Sequence, residues 1–259
     1  MRNFGRAFER SGVRCLLISG QATVLYGAAA FSEDVDLWVD PAAGNLALLR
    51  RALERLRARV YKLTPPLTPT YARCGHGFHF LLPSAEGPVY LDVMGRPPRV
   101  GSFAACLGRS VRMDGAWGAM RVVSEEDLVE IKKTRRLGDY EVISALVRIR
   151  LERAARQGRI PPAPWRWGLR NSFSAENLSE MLADPQARRA AIGLRRPALR
   201  ALLAPGGSPA GRIERAGALL ASEIAMLQRD DMRYWGPVLA ELRALRARGG
   251  LWEEGTPVR

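Results

Sequence analysis

The pattern of hydrophobic and polar residues divides the chain near residue 122 into two parts. Before it, short alternating segments predict β-strands, and longer segments with apolar residues every three or four positions predict helices. The predicted strands cover residues 15–19, 34–39, 59–63, 77–82, 88–94 and 119–123, and the predicted helices cover residues 21–29 and 43–57. Residues 1–122 are therefore expected to form one domain that mixes strands and helices.

After residue 122 the pattern is helical throughout. Apolar residues recur at helical spacing, and proline-containing turns at 160–164 and 205–209 separate some of the segments. The predicted helices cover residues 125–136, 140–156, 175–183, 186–192, 196–203, 208–228 and 235–248. Residues 123–259 are therefore expected to form an all-helical domain, so that the chain as a whole belongs to the α+β class.

Two aspartates one residue apart carry the clearest chemical signal. Asp34 and Asp36 alternate with Val35, Leu37 and Val39, as in a strand that has one face in a core. Successive side chains of a strand point to opposite faces, so both carboxylates leave the same face, roughly 6–7 Å apart. Like charges this close repel unless a cation lies between them, and carboxylate oxygens are ligands that Mg²⁺ prefers. The pair indicates a metal site, and a solvated edge strand is the alternative.

The segment before the pair offers a site for a phosphate. The predicted first strand ends at Ser19 and Gly20, and a short helix follows directly. A Ser-Gly turn that opens a helix provides a hydroxyl, close approach to the backbone and free N–H groups, which suit a phosphate. The turn alone is weak evidence, but the acidic strand about a dozen residues later strengthens it.

Asp92 is the candidate for a third carboxylate. It alternates within Val89–Met94, where Tyr90, Asp92 and Met94 share one face. An acid among apolar residues of a strand needs a partner or a cation. The alternative is an aspartate that caps the turn at residues 95–98.

A second cluster follows the predicted sheet. Ser124 and Asp127 have the spacing of a capping box, so a helix is expected to begin there. Lys132 and Lys133 lie toward its predicted end, in a chain with three lysines and 37 arginines. A lysine in so arginine-rich a chain suggests a need for a compact point charge, although a solvated pair at a helix end is the alternative. Asp139 is predicted to be either the N-cap of the next helix or an active-site acid.

Together these motifs resemble the nucleotidyltransferase superfamily, in particular its minimal and toxin-type members such as the AbiEii-like group. The signature is a small-residue turn, a short helix and then Thr/Ser-x-Asp-x-Asp-Leu. Here Ser19–Gly20 matches the turn and Ser32–Leu37 matches the acidic strand. The family usually has Gly-Gly at the turn, and many members place an arginine before the Ser/Thr, where this chain has Phe31.

The likeness extends to roughly residues 15–145 of the chain. In the later segment Lys132 matches a phosphate-contacting lysine, Arg136 lies in an arginine-bearing loop, and Asp139 matches a family acid. Val142 occupies the position of the family's second acid, so that part of the pattern is absent.

The resemblance implies a polymerase-beta-like mixed sheet with helices, followed by a helical domain that closes the cleft. It further implies that Mg²⁺ or Mn²⁺ is held by the three aspartates and that a nucleoside monophosphate passes from an NTP such as ATP to an acceptor hydroxyl. The catalytic residues would be Asp34, Asp36, Asp92 and Lys132, and the substrate-binding residues would be Ser19, Gly20, Ser32, Lys133, Arg136 and Asp139.

The expected acceptor is RNA, such as tRNA, in a toxin–antitoxin or defence system with a cognate antitoxin protein. A formal net charge of +14 and a pI of about 10.8 agree with a polyanionic partner, although genome base composition can also enrich arginine. One alternative is nucleotidylation of a protein or small molecule. Another is a catalytically inert, basic RNA-binding module of the same fold.

Further features bear on location and on metals. The charged N-terminal residues and the lack of a long apolar stretch predict neither a secretory signal nor a membrane span. Three scattered cysteines suit a reducing cytoplasm. Cys74, His76 and His79 have ligand chemistry, but no second cluster completes a zinc site. His76 and His79 are therefore expected to be hairpin residues.

Overall fold

The computed structural model describes residues 4–85 and 87–259 and divides into two compact units. The first unit contains the described residues up to Ile131 together with Arg233–Arg259, and the second contains Lys132–Met232. Within the described residues, no helix combines the length and apolar character that crossing a membrane requires.

A seven-stranded mixed sheet forms the centre of the first unit, in the order β3-β4-β5-β2-β1-β7-β6. Two pairs, β2 with β5 and β1 with β7, are parallel, and the other neighbours are antiparallel. The expected α+β class is confirmed. The strands are β1 (Cys15–Ile18), β2 (Val35–Val39), β3 (Arg59–Val60), β4 (Gly77–Leu82), β5 (Val89–Met94), β6 (Val111–Gly115) and β7 (Gly118–Val122).

Alternation along the central strands separates a buried face from a more polar one. On β2, Val35, Leu37 and Val39 are buried, and on β4, Phe78 and Phe80 are fully buried. Burying each such side chain stabilises the fold by about 1.5–3 kcal/mol. The intervening residues of these strands, and of β5 between them, are therefore left on the other face, where the candidate site lies.

Six helices lie wholly within the described part of the first unit. The last of them begins at the predicted capping box, because Ser124 Oγ accepts from the Asp127 backbone N–H at 3.1 Å and donates to Asp127 Oδ2 at 3.0 Å. They are α1 (Phe4–Arg10), α2 (Ser19–Leu25), α3 (Ala43–Arg55), α4 (Pro69–Cys74), α5 (Phe103–Arg109) and α6 (Glu125–Ile131).

The C-terminal residues complete the edge of this sheet. The Val60 N–H donates to the Thr256 carbonyl at 2.9 Å, and the Trp252 N–H donates to the Thr64 carbonyl at 2.8 Å. The predicted boundary at residue 122 therefore differs from the division of the structure, which places residues 123–131 and 233–259 with the sheet. Helical periodicity alone does not reveal these pairings, because they join residues almost 200 positions apart.

The second unit is all-helical, as its pattern predicts. Its helices are α7 (Gly138–Arg156), α8 (Pro162–Asn171), α9 (Ala175–Met181), α10 (Pro185–Ala191), α11 (Pro197–Leu203) and the part of α12 (Pro209–Ala247) up to Met232. Two predicted helices, 208–228 and 235–248, are one continuous helix, within which Pro237 is accommodated. A proline inside a helix removes one backbone hydrogen bond, and a helix that continues past the proline is usually kinked there.

Candidate functional site

The candidate carboxylates lie on two neighbouring strands of the sheet. Asp36 on β2 pairs in register with Asp92 on β5 in a parallel ladder, so both side chains leave the same face. Asp34 directly precedes β2, two residues before Asp36, and all three aspartates are half-buried. This register is the one that the predicted site requires.

Asp92 is held by three hydrogen-bond partners from the adjoining strands and loop. The Tyr61 hydroxyl donates to Asp92 Oδ1 at 2.8 Å, and His79 Nδ1 lies 2.8 Å from the same oxygen. Lys62 Nζ lies 3.3 Å from Asp92 Oδ2. His79 faces Asp92 because the antiparallel ladder of β4 and β5 pairs the two residues in register. Both oxygens of this carboxylate therefore have partners.

The electrostatics link all three carboxylates to one hydroxyl. Burial raises the pKa of Tyr61 well above its usual value, and so do its hydrogen bond to Asp92 and the negative charges of Asp92, Asp34 and Asp36. The three carboxylates therefore disfavour the ionised form of the same hydroxyl. We call the surface formed by Tyr61, His79 and the three aspartates the acidic face.

The partners of Asp92 change its acidity. Burial raises the pKa of Asp92, but the hydrogen bond and charge of His79, the hydrogen bond of Tyr61 and the charge of Lys62 together outweigh burial. The pKa of Asp92 therefore lies below its ordinary value of 3.8. The carboxylate remains ionised at neutral pH, as a site for cations requires.

Asp92→Asn is expected to lower the free energy of unfolding at pH 7 and to have little effect in strong acid. A carboxyl whose pKa is lowered by folding stabilises the protein above its unfolded pKa and loses this contribution as pH falls through the folded pKa. The difference between wild type and variant should therefore shrink below about pH 3.8. Urea unfolding across pH measures it, with Asp114→Asn, an exposed residue of β6, as control. A difference that does not change with pH would contradict the assignment.

The small-residue turn packs directly against the segment that leads into β2. Ser19 has φ +58°, and a Cβ on Gly20 would lie 2.2 Å from Ser32 Oγ and 2.9 Å from Ser32 Cβ. The Gln21 side-chain amide donates to the Ser32 carbonyl at 2.6 Å. The structure thus brings together Ser19, Gly20 and Ser32, and the contact with Ser32 leaves no room for a side chain at position 20.

Gly20→Ala is expected to destabilise the protein by about 1–3 kcal/mol, because its Cβ would overlap Ser32. Ser32→Gly removes both overlapping atoms and should recover part of the loss in the double variant. Gly44→Ala on α3 is the matched control, since a Cβ there meets nothing within 4 Å. Chemical denaturation measures the free energy of unfolding of the wild type, Gly20→Ala, the double variant and Gly44→Ala. Equal stability of Gly20→Ala and Gly44→Ala would show that the turn has room for a side chain.

The other predicted site residues belong to the second unit. Lys132 is buried, and its Nζ lies 2.7 Å from Asp139 Oδ1, while Thr134 Oγ1 donates to Asp139 Oδ2 at 2.5 Å. Arg136 is exposed and Lys133 is half-buried. The contact of Lys132 with nucleotide phosphates stays a prediction.

Two local predictions for this segment are wrong. Helix α6 ends at Ile131 rather than at residue 136, so Lys132 and Lys133 follow the helix. Asp139 does not cap α7, because Leu137 occupies the N-cap position and no side chain caps it. The ion pair with Lys132 provides the physical reason, since it directs the Asp139 carboxylate toward the preceding loop.

The residues with zinc-ligand chemistry have separate surroundings. Cys74 is an exposed thiol at the end of α4, and His76 is buried with Nε2 2.7 Å from Glu241 Oε2. His79 belongs to β4 and contacts Asp92. Within residues 4–85 and 87–259, no group of three or more His, Cys, Asp or Glu side chains is arranged to hold a metal ion.

Sequence reasoning missed Tyr61 and His79 of the acidic face, and Lys62 beside it. Two signals were available. Lys62 is one of only three lysines, and the alternation of β4 places His79 on the face opposite Phe78 and Phe80. Neither signal identifies Asp92 as their common partner, because that depends on the register between strands.

Comparisons with known proteins add no relative. No protein-family model matches the chain, and a search of curated proteins finds no significant match.

Proposed function

We propose that this chain is a metal-dependent nucleotidyltransferase that transfers a nucleoside monophosphate from an NTP to an acceptor hydroxyl. The observation that carries the proposal is the in-register pair of Asp36 and Asp92 on adjacent parallel strands, with Asp34 two residues before Asp36. Neighbouring strands with a purely structural role rarely bring three acids together in an otherwise basic protein, because the mutual repulsion of the acids costs stability.

The donor set fits a hard divalent cation. Mg²⁺ in phosphoryl-transfer enzymes is usually bound through one or two carboxylates together with phosphates and water. Asp34 and Asp36 would hold it together with substrate phosphates, because the described residues contain no preformed group of three such ligands. A part for Asp92 in binding the cation stays a prediction, since Tyr61, His79 and Lys62 contact both of its oxygens. When bound, the cation would neutralise phosphate charge and lower the pKa of the attacking hydroxyl.

The chain's own residues have distinct roles in this proposal. Tyr61 and His79 fix the Asp92 carboxylate, so its orientation is set before substrate binds. Lys62 has a half-exposed side chain and places an ammonium beside the acidic face, where it can contact phosphate oxygens. The turn at Ser19 and Gly20 contributes backbone N–H groups for a phosphate, and Lys132 is proposed to contact the NTP.

RNA is the proposed acceptor class. The formal net charge of +14 favours a polyanionic partner, because neutralising phosphates releases counterions and drives association. A tRNA offers both this charge and a free 3′ hydroxyl.

The test is incubation of the protein with each labelled NTP, Mg²⁺ or Mn²⁺ and either total RNA or a protein lysate. Label that appears in RNA only when a divalent cation is present supports the proposal. Label in the protein fraction would assign the acceptor to protein instead. No label in any fraction, under conditions where the protein is folded, would overturn the proposed activity.

One observation favours a second candidate function, an inert RNA-binding module. Both oxygens of Asp92 already have partners, and Lys62 supplies a positive charge that can stand in for a cation. Calorimetric titration with Mn²⁺ separates the two functions. Binding that Asp36→Asn abolishes supports the enzyme, and absence of binding to the wild type in the presence of NTP supports the module.

A further inference from the structure

Two stretches of the second unit contain many arginines and no carboxylate. Neither the 23 residues between Glu152 and Glu176 nor the 29 residues between Asp184 and Glu214 include Asp or Glu. The first stretch has five arginines, at 153, 156, 159, 166 and 170, and the second has six, at 188, 189, 195, 196, 200 and 212. The unit as a whole, Lys132–Met232, has 19 basic and ten acidic residues.

The fold brings these stretches together. Helix α8 from the first stretch packs against α10 from the second. Arg166 on α8 joins them directly, since its Nη1 donates to the carbonyls of Ala190 and Ile192, both at 3.2 Å. Arg166 of the first stretch therefore lies against the end of α10 in the second stretch.

A cavity of about 420 Å³ lies where the two stretches meet. Arg159, Arg166 and Arg189 line it, together with Gln186 and apolar residues, and its lining includes no Asp or Glu. Arg159 and Arg189 are exposed. Asp184 directly precedes the second stretch and is outside the lining of the cavity. Its Oδ1 accepts from the Gln186 backbone N–H at 2.6 Å.

Three guanidinium groups without a carboxylate favour an anion. Arginine stays charged at every physiological pH, and its planar N–H donors match two oxygens of a phosphate at once. The unit has 19 basic and ten acidic residues, so a polyanion gains more from the surrounding positive charge than an isolated phosphate does. This excess of charge suits a chain of phosphates.

We propose that this cavity, with Arg159, Arg166 and Arg189 as its contacts, binds the phosphate backbone of RNA. The choice of RNA among polyanions rests on the proposed function, in which RNA is the acceptor. Binding itself requires neither NTP nor a divalent cation, so it is measured separately from catalysis.

The test is fluorescence anisotropy of a short labelled single-stranded RNA, without NTP, between about 50 and 200 mM KCl. Arg159→Gln/Arg189→Gln should weaken binding about tenfold or more and reduce the slope of log K against log salt by about 1.4. Both side chains are exposed, so the variant should fold. Adding Arg166→Gln should weaken binding further. Thermal unfolding of this triple variant shows whether loss of the Arg166 contacts with the two carbonyls affects the fold.

The matched control is Arg50→Gln/Arg51→Gln, which removes two exposed arginines from α3 of the first unit. It should leave affinity within about twofold and the slope nearly unchanged. Equal losses in the two double variants would overturn the proposal, because they would show a response to net charge alone. In a second arm, inorganic triphosphate competes with RNA for binding to the wild type and to the Arg159/Arg189 variant. A variant that loses triphosphate binding but keeps RNA binding would assign the cavity to small anions and overturn the proposal.

Failure of this inference is distinguishable from failure of the proposed function. Asp114→Asn, exposed on β6 of the first unit, should bind RNA as the wild type does. Unchanged RNA binding by the Arg159/Arg189 variant, with nucleotidyl transfer intact, would refute the cavity as the RNA site and leave the proposed activity standing. Cavity-dependent RNA binding without any transfer would refute the proposed activity and leave the RNA site standing.

Discussion

Asp36→Asn should reduce nucleotidyl transfer at least about 100-fold while leaving the fold intact. Asparagine keeps the size of the side chain but removes the negative charge that would hold a cation, at the position paired in register with Asp92. The variant also loses the repulsion among the three acids, so its thermal midpoint should not fall by more than a few degrees. Initial rates with labelled NTP measure the effect.

Asp114→Asn provides the control, since this aspartate is exposed on β6 away from the two acidic strands. It should transfer at the wild-type rate. Once transfer has been observed, unchanged turnover in Asp36→Asn would refute the assignment of Asp36 as a metal ligand. A large drop in both variants would point to an effect of net charge.

Lys132→Ala should destabilise the second unit by about 3–5 kcal/mol, because it leaves the Asp139 carboxylate buried without its cation. Both side chains of this pair are nearly buried, at 10% and 13% exposed, so solvent screens their interaction little. Thr134 remains as a hydrogen-bond donor to Asp139 and compensates only in part. Urea unfolding measures the loss. Lys133→Ala, at a half-buried position, should cost less than about 1 kcal/mol.

The effect of Lys132 on activity can be separated from its effect on stability. Lys132→Met/Asp139→Asn replaces both charges together and should recover most of the stability that the single variant loses. If Lys132 contacts the NTP, transfer by this double variant stays far below that of Lys133→Ala under conditions where both are folded. Restored transfer would make Lys132 purely structural. Equal, small losses for Lys132→Ala and Lys133→Ala would show that neither charge matters.

The sequence predicted the carboxylates of the site but not their environment. The alternation around Asp34 and Asp36, and around Asp92, predicts which face each side chain occupies, and the observed register agrees. The partners of Asp92 come from β4 and from residues 61 and 62, and their approach depends on the order of strands. Strand order follows from which buried faces pack together, and this information is spread over the whole chain.

Long-range pairing also explains the differences in domain organisation. Helical periodicity over residues 235–248 predicts a helix but not the unit in which it packs. The buried contact of His76 with Glu241 and the pairing of residues 252–258 along β3 place the C-terminal part of the chain in the first unit. Helix α12 continues through Pro237, although proline is a local break signal.

By itself, therefore, the sequence determined the local features of this protein: the period of each segment, the capping box at Ser124, the acids on one strand face and the excess of arginine. Those features depend on neighbours within a few residues, whose geometry is fixed by the backbone. Only the tertiary structure decided that Tyr61, Lys62 and His79 meet Asp92, that Lys132 pairs with Asp139, and that two acid-free stretches form one cavity. Such contacts are decided by the packing of distant segments, because burial of apolar faces, not local propensity, selects the register and neighbours of each element.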